Sequence, residues 1–229
     1  MGFIQEGFVQ ALTLLADRDP ATFSAVGVTL RTSGLAMAAS LLLGIPLGYL
    51  LGYFDFRLKK QIRIIVHTLL SLPTVFIGLV AYAFFTRNGP LGSAGLLFTI
   101  PGMAIGQAVL SLPIIVALTA TAVETADRNL RITLISLGAN PRQLAATTLW
   151  EVRLGILAAA VTATGRVLTE VGISLMVGGN IKWHTRTITT AIALETSKGE
   201  FGMGIALGLV LLLIAFTVNL CLAGLRRRN

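Results

Sequence analysis

The sequence predicts an all-α membrane protein with about five transmembrane helices, its N-terminus outside and its C-terminus inside, and three observations point there. Of its 229 residues, 55% are hydrophobic and only 12% charged, with a mean hydropathy of +0.83. A soluble domain of this length needs far more polar surface. Several apolar runs reach the ~20 helical residues that cross a hydrocarbon core. The positive charges fall in short clusters at the ends of those runs, where they orient a membrane protein. The formal net charge of +8 therefore gives no reason to expect a nucleic-acid partner. The one cysteine, Cys221, lies inside the last run, which excludes an intrachain disulfide and a cysteine metal site.

Residues 1–20 form an amphipathic N-terminal segment, with Phe3, Ile4, Phe8, Leu12 and Leu15 apolar and Gln5, Glu6 and Gln10 between them. It is too short to span and lacks the basic start of a signal peptide, so it is expected to lie along a membrane surface. Residues 21–229 read as one transmembrane domain. The first span, 24–53, carries Gly44, Gly48 and Gly52 on one face, where another helix can approach closely. Arg31 is placed to reach the interface, and Pro46 predicts a kink. Arg57, Lys59, Lys60 and Arg63 follow and place that end in the cytoplasm. Spans 62–85 and 100–123 come next, and each contains Leu-Ser-Leu-Pro, at 70–73 and 110–113. Each proline frees a carbonyl and marks a hinge point.

Residues 128–151 are a polar, basic interruption on the cytoplasmic side. Leu130, Leu134 and Leu137 share a helical face, and Gly138-Ala139 breaks that helix. Asn140 is suited to cap a second helix with Pro141 in its first turn and Arg142 next. The two short helices make an L-shaped docking elbow. The fourth span, 154–177, is rich in small residues and carries Arg166 and Glu170 at i and i+4, expected on one helix face. Charges at that depth mark a candidate path. Gly178-Gly179-Asn180 ends the span. Four threonines, Thr185, Thr187, Thr189 and Thr190, make the following stretch too polar to cross, so a short surface or re-entrant helix over 186–197 is expected there, with His184 in a solvated loop. The last span, 201–225, ends in Arg226-Arg227-Arg228.

No phosphate loop, His/Cys cluster or Ser/His/Asp set is visible, so the chain is not expected to catalyse by itself. The residues alone leave open a transport path, an ATPase-independent transporter or channel, and a structural subunit of a larger complex. Leu137-Gly138-Ala139 and the placement of Leu149 to Glu151 resemble the cytoplasmic signature of the permeases of binding-protein-dependent ABC importers. Ile132, Thr133 and Leu134 depart from its E-A-A start, and Trp150-Glu151 from its Leu-Pro end. The run from Gly165 to Gly172, with Arg166, Leu168 and Glu170, and then Gly179-Asn180-Ile181, resembles the molybdate, sulfate and tungstate permeases. The continuation from Thr185 to Phe201 is similar to the tungstate branch. The resemblance implies a homodimeric permease in a prokaryotic cytoplasmic membrane. It also implies two copies of a cytoplasmic ATPase that binds ATP and Mg, and an extracytoplasmic oxyanion-binding protein. It places Leu134, Leu137, Gly138, Ala139, Asn140, Pro141 and Arg142 at the ATPase contact and Arg166, Glu170 and Asn180 along the path. This chain itself would carry no cofactor.

Overall fold

The computed structural model describes residues 2–126 and 128–227, and the side chains of all of these except 128–131, 222, 223 and 225–227. The side chains of Arg128, Leu130, Arg131, Arg226 and Arg227, and the whole of Arg228, thus lie outside the described residues. The elements are helices α1 (Phe3–Ala16), α2 (Pro20–Tyr53), α3 (Lys59–Leu70), α4 (Thr74–Phe85), α5 (Ile100–Glu124), α6 (Arg128–Ser136), α7 (Pro141–Glu151), α8 (Arg153–Leu168), α9 (Gly172–Gly178), α10 (Ile188–Ser197) and α11 (Phe201–Arg227). Helices α2, α5 and α11 are long and apolar enough to cross a membrane, and two bent pairs, α3–α4 and α7–α8, bring the candidate spans to as many as 5.

Helix α5 is the core of the bundle. The glycine face of α2 lies directly on it: a Cβ at Gly48 would come within 2.6 Å of Thr119 Cβ and 2.8 Å of the Val116 carbonyl oxygen. That is the close approach predicted from the four-residue spacing, and in lipid such packing is what holds helices together. Ala36, Met37, Ala104, Ile115, Ala159, Ala163 and Val167 join α2, α5 and α8 in one apolar cluster. Val28, Ile77, Met103, Ile173 and Val177 join α2, α4, α5 and α9 in another. Helix α2 remains a single element through Pro46. Helix α1 packs against α11, with Phe3 and Phe201 ring centroids 5.6 Å apart and Gly7 seated against Ile205. Ile4, Phe8, Val9 and Leu12 stay exposed, while Leu14 and Leu15 pack against the cluster of Ala25, Ile188 and Leu207.

Three expectations are corrected. The stretch 62–85 is two helices bent by 98°, with Ser71–Pro73 as the break. The same tetrapeptide at 110–113 sits inside an unbroken α5. The difference is packing: α3 has no buried residue, whereas Leu110, Ser111 and Pro113 are all buried. There the Ser111 hydroxyl is held by the Gln107 carbonyl at 2.9 Å and by Ser40 at 2.7 Å. The stretch 154–177 is also two helices, with α8 ending at Leu168 and α9 starting at Gly172. Finally, the short helix expected over 186–197 is present as α10 with an exposed end, but its threonine-rich start is internal, which corrects the surface placement and leaves the re-entrant one. Thr187, Thr189 and Thr190 are buried, and the Ile188 N–H donates to Thr29 Oγ1 of α2 at 3.0 Å. Threonine hydroxyls that bond the backbone or one another satisfy their own polarity, so four of them do not force a segment to the surface.

Candidate translocation path and coupling elbow

The two broken helices meet. Gly78 of α4 lies so close to α9 that a Cβ there would be 3.0 Å from Ile173 Cα, and Gly172 in turn faces Thr74 and Val75 at the start of α4. The breaks at 71–73 and 169–171 are thereby brought to one level of the bundle. Non-helical backbone at membrane depth is tolerated where protein buries it or a path needs it.

Arg166 lies on α8 before the second break and Glu170 lies within it, so the expected i,i+4 pair on one face does not form. The helix stops between them: Thr169 caps α8, its hydroxyl donating to the Gly165 carbonyl at 3.0 Å. Glu170 turns inward, only 4% exposed, and its Oε1 accepts the Ile173 N–H at 2.9 Å, capping α9. Its carbonyl accepts the Thr189 hydroxyl at 2.9 Å, which ties the break to α10. A carboxylate on a free N–H at a helix start gains a charge-assisted bond there. Arg166 is exposed and has no ion pair among the described residues.

Asn180 sits at the far end of α9, in left-handed backbone at φ 51° directly after Gly179 at φ 68°. Its Oδ1 accepts from Arg186 Nε at 3.1 Å, so the side chain braces its own loop. Thr185 is buried in the same loop, donating to the Gly178 carbonyl and accepting the Ile181 N–H at 3.2 Å. The structure does not bring Arg166, Glu170 and Asn180 into one cluster: Glu170 and Asn180 flank α9, and Arg166 lies on the preceding helix. Two polar contacts inside the bundle escaped the sequence reading. Gln107, 2% exposed, donates through Nε2 to Ser174 Oγ of α9 at 3.2 Å, and Ser40 meets Ser111 between α2 and α5. The signal was present, since Gln107 is an amide side chain in the middle of an apolar span.

The elbow is built as its residues dictate. Gly138 takes φ 79° and closes α6, with Ala139 N–H donating to the Leu134 carbonyl and Gly138 N–H to the Ile135 carbonyl, both at 3.0 Å. That is a Schellman end, which glycine makes without steric cost. Asn140 then caps α7 in a reciprocal box: Gln143 N–H donates to Asn140 Oδ1 at 2.9 Å, and Asn140 N–H to Gln143 Oε1 at 2.8 Å. Pro141 occupies the first turn, and Arg142 is exposed beside it. Leu137 is 78% exposed, and Ile132, Ile135 and Trp150 are also exposed. Leu134 is only half-buried, whereas Ile132 and Ile135, not assigned to the ATPase contact from the sequence, are exposed on another side of α6. On its inner side, α7 is anchored: Ala145 and Leu149 pack with Tyr49, Tyr53, Val123 and Val152. The rings of Tyr49 and Tyr53 stack at 5.0 Å. The elbow thus has a capped turn, exposes apolar side chains, and is held through α7 against the ends of α2 and α5.

A model of the family described as binding-protein-dependent transport system inner membrane component matches residues 44–229. The tungstate uptake system permease protein TupB of Campylobacter jejuni is 46% identical over 227 residues, which cover 99% of this chain and 95% of that protein. TupB of Peptoclostridium acidaminophilum is 38% identical over 219 residues, covering 96% of each chain. The molybdenum transport system permease protein ModB of Escherichia coli K12 is 31% identical over 209 residues, covering 84% of this chain and 91% of that one. Among solved structures, a chain of the inward-facing MetNI methionine ABC transporter superposes with a TM-score of 0.74 at 18% identity, over 92% of this chain and 98% of its own, a likeness of fold.

Proposed function

Because the chain belongs to the family of binding-protein-dependent transport system inner membrane components, we propose that it is the membrane permease of an ATP-driven tungstate importer. In this reading two copies of the chain form the path, two copies of a cytoplasmic ATPase supply the energy, and an extracytoplasmic receptor delivers the oxyanion. The observation that carries the mechanism is the elbow: exposed apolar side chains on a doubly capped turn that is packed onto the ends of two long helices. Closure of an ATP-bound ATPase pair would move that turn as a unit. Through Leu149, Tyr49 and Val123, the movement would pass to α2 and α5, and so open or close the space between the two copies. The chain contributes the lever and the path, and ATP hydrolysis belongs to the partner.

Tungstate is preferred as the cargo because similarity to the two tungstate permeases runs through almost the whole chain, at higher identity than to the molybdenum permease. A permease must not hold its ion tightly, since a deep well would trap it. Arg166, exposed and uncompensated by any acid among the described residues, is suited to weak contact with an anion. Glu170 and Asn180 act differently, as residues that hold α9 and its following loop in place. Purification of the tagged chain from its native membrane in mild detergent, with mass spectrometry of whatever accompanies it, tests the assembly. A phosphate-loop ATPase at equal stoichiometry is expected. Recovery of the chain alone, even after cross-linking through residues 132–137, would overturn the reading.

A further inference from the structure

Helix α3 carries a polar stripe that the elbow and the breaks do not use. Lys60, Arg63, His67 and Ser71 recur at i, i+3, i+7 and i+11 and therefore lie along one side of the helix. With Thr68 and Ile64 they line a shallow groove of about 680 Å³. The stripe is ~16 Å long at helical rise. It begins in the basic cluster at the start of α3 and ends at the 71–73 break, where α4 and α9 meet.

Charge along the groove is not balanced. Glu124 of α5 pairs with Arg63 and, at 3.2 Å, with Lys59, and Asp55 takes a second contact from Lys59 at 3.1 Å. Lys60 and His67 have no acidic partner among the described residues, and no carboxylate lines the groove. The available donors are one ammonium, one guanidinium already sharing an acid, one imidazole and the Ser71 hydroxyl, since the Thr68 hydroxyl already donates to the Ile64 carbonyl at 2.8 Å. This set suits a compact anion with several acceptor oxygens and suits neither a cation nor an apolar ligand. The groove is open, and its side chains are largely exposed, which favours a ligand that arrives and leaves quickly.

We propose that the α3 groove of Lys60, Arg63, His67, Thr68 and Ser71 is a weak site for a tetrahedral oxyanion, taking either the transported ion or the phosphate of an anionic lipid headgroup. Where the occupant is the transported ion, the site is a station between the level of the broken helices and the basic end of α3; this part alone rests on the importer reading. The sequence supplies an unusual handle, since it has only two histidines, His67 in the groove and His184 in the exposed loop after α9.

The full chain, labelled in its histidines and held in phosphatidylcholine nanodiscs, is titrated with sodium tungstate while both imidazole signals are followed by NMR. Sodium chloride of matched ionic strength is the control, and His67→Gln assigns the signals. The expected result is a saturable shift of the His67 signal with His184 unmoved, and an apparent affinity at least threefold weaker in Lys60→Gln. In nanodiscs containing phosphatidylglycerol, a His67 signal already shifted and no longer responsive to tungstate assigns the groove to the headgroup. A tungstate response that persists there assigns it to the transported ion. Absence of a His67 response to both probes, or parallel movement of both histidines, overturns the proposal. Binding is read without ATP or partners, so its failure leaves the importer reading standing. Normal tungstate uptake by a wild-type complex whose His67 is silent would separate the two.

Discussion

At the scale of single residues, Gly138 and Glu170 carry the most specific consequences. Gly138 has φ 79° and open space around it, so a side chain there would meet backbone strain rather than a clash. The left-handed conformation costs an L-residue roughly 1–2 kcal/mol, more for a β-branched side chain and less for Asn, which tolerates it. Gly138→Val is therefore expected to unseat the turn, leaving a complex that assembles and hydrolyses ATP but imports several-fold more slowly. Gly138→Asn should restore most of the import, and equal uptake by wild type and both variants would show that the turn is not the lever. For Glu170 the relevant atom is Oε1, which caps the Ile173 N–H. Glu170→Ala leaves that buried donor unsatisfied, at a cost of about 1–3 kcal/mol, whereas Glu170→Gln keeps an acceptor. Thermal unfolding in detergent should show a clear loss for the alanine variant and a small one for glutamine. Equal losses would mean that the charge matters more than the cap.

At the scale of elements, close contact between α2 and α5 holds the bundle together. Gly48→Leu would drive a side chain into Thr119 and the Val116 carbonyl. Overpacking of this kind costs typically about 1–3 kcal/mol. The expected outcome is a lower unfolding temperature and reduced recovery from the membrane, while Gly34→Ala, on the same helix with open space around its Cα, should behave as wild type. Indistinguishable unfolding of Gly48→Leu and wild type would argue against this contact. What was legible in the sequence is local in origin. The Asn140 cap with Pro141, the Gly138 turn and the glycine face each depend on residues within a few positions of one another. The first break was half legible, because both prolines marked hinge points yet Leu-Ser-Leu-Pro is a break at 70–73 and continuous helix at 110–113, and only burial on α5 separates the two. The Arg166–Glu170 pair failed for a related reason: its spacing means adjacency only if the helix continues, and it ends where Glu170 accepts a local bond from the Ile173 N–H and a tertiary one from the Thr189 hydroxyl of α10.

At the scale of the whole molecule, composition alone made the membrane class and the helical bundle legible, and the family follows from a match over residues 44–229. Assembly was less legible, because an interface with a partner leaves only exposed apolar residues as its trace, and in a membrane protein lipid leaves the same trace. The elbow is the exception, since Ile132, Ile135 and Leu137 are exposed on a polar, basic interruption between apolar helices. The proposed role of this surface is to couple an ATPase to tungstate import. It is tested most directly by ATP-dependent tungstate accumulation in proteoliposomes holding the chain with its co-purified ATPase and receptor, compared with the same complex carrying Leu137→Asp. The expected result is uptake that requires ATP in the wild-type complex and falls at least tenfold in the variant, with the chain still folded. Tungstate accumulation independent of ATP, or undiminished by Leu137→Asp, would contradict it.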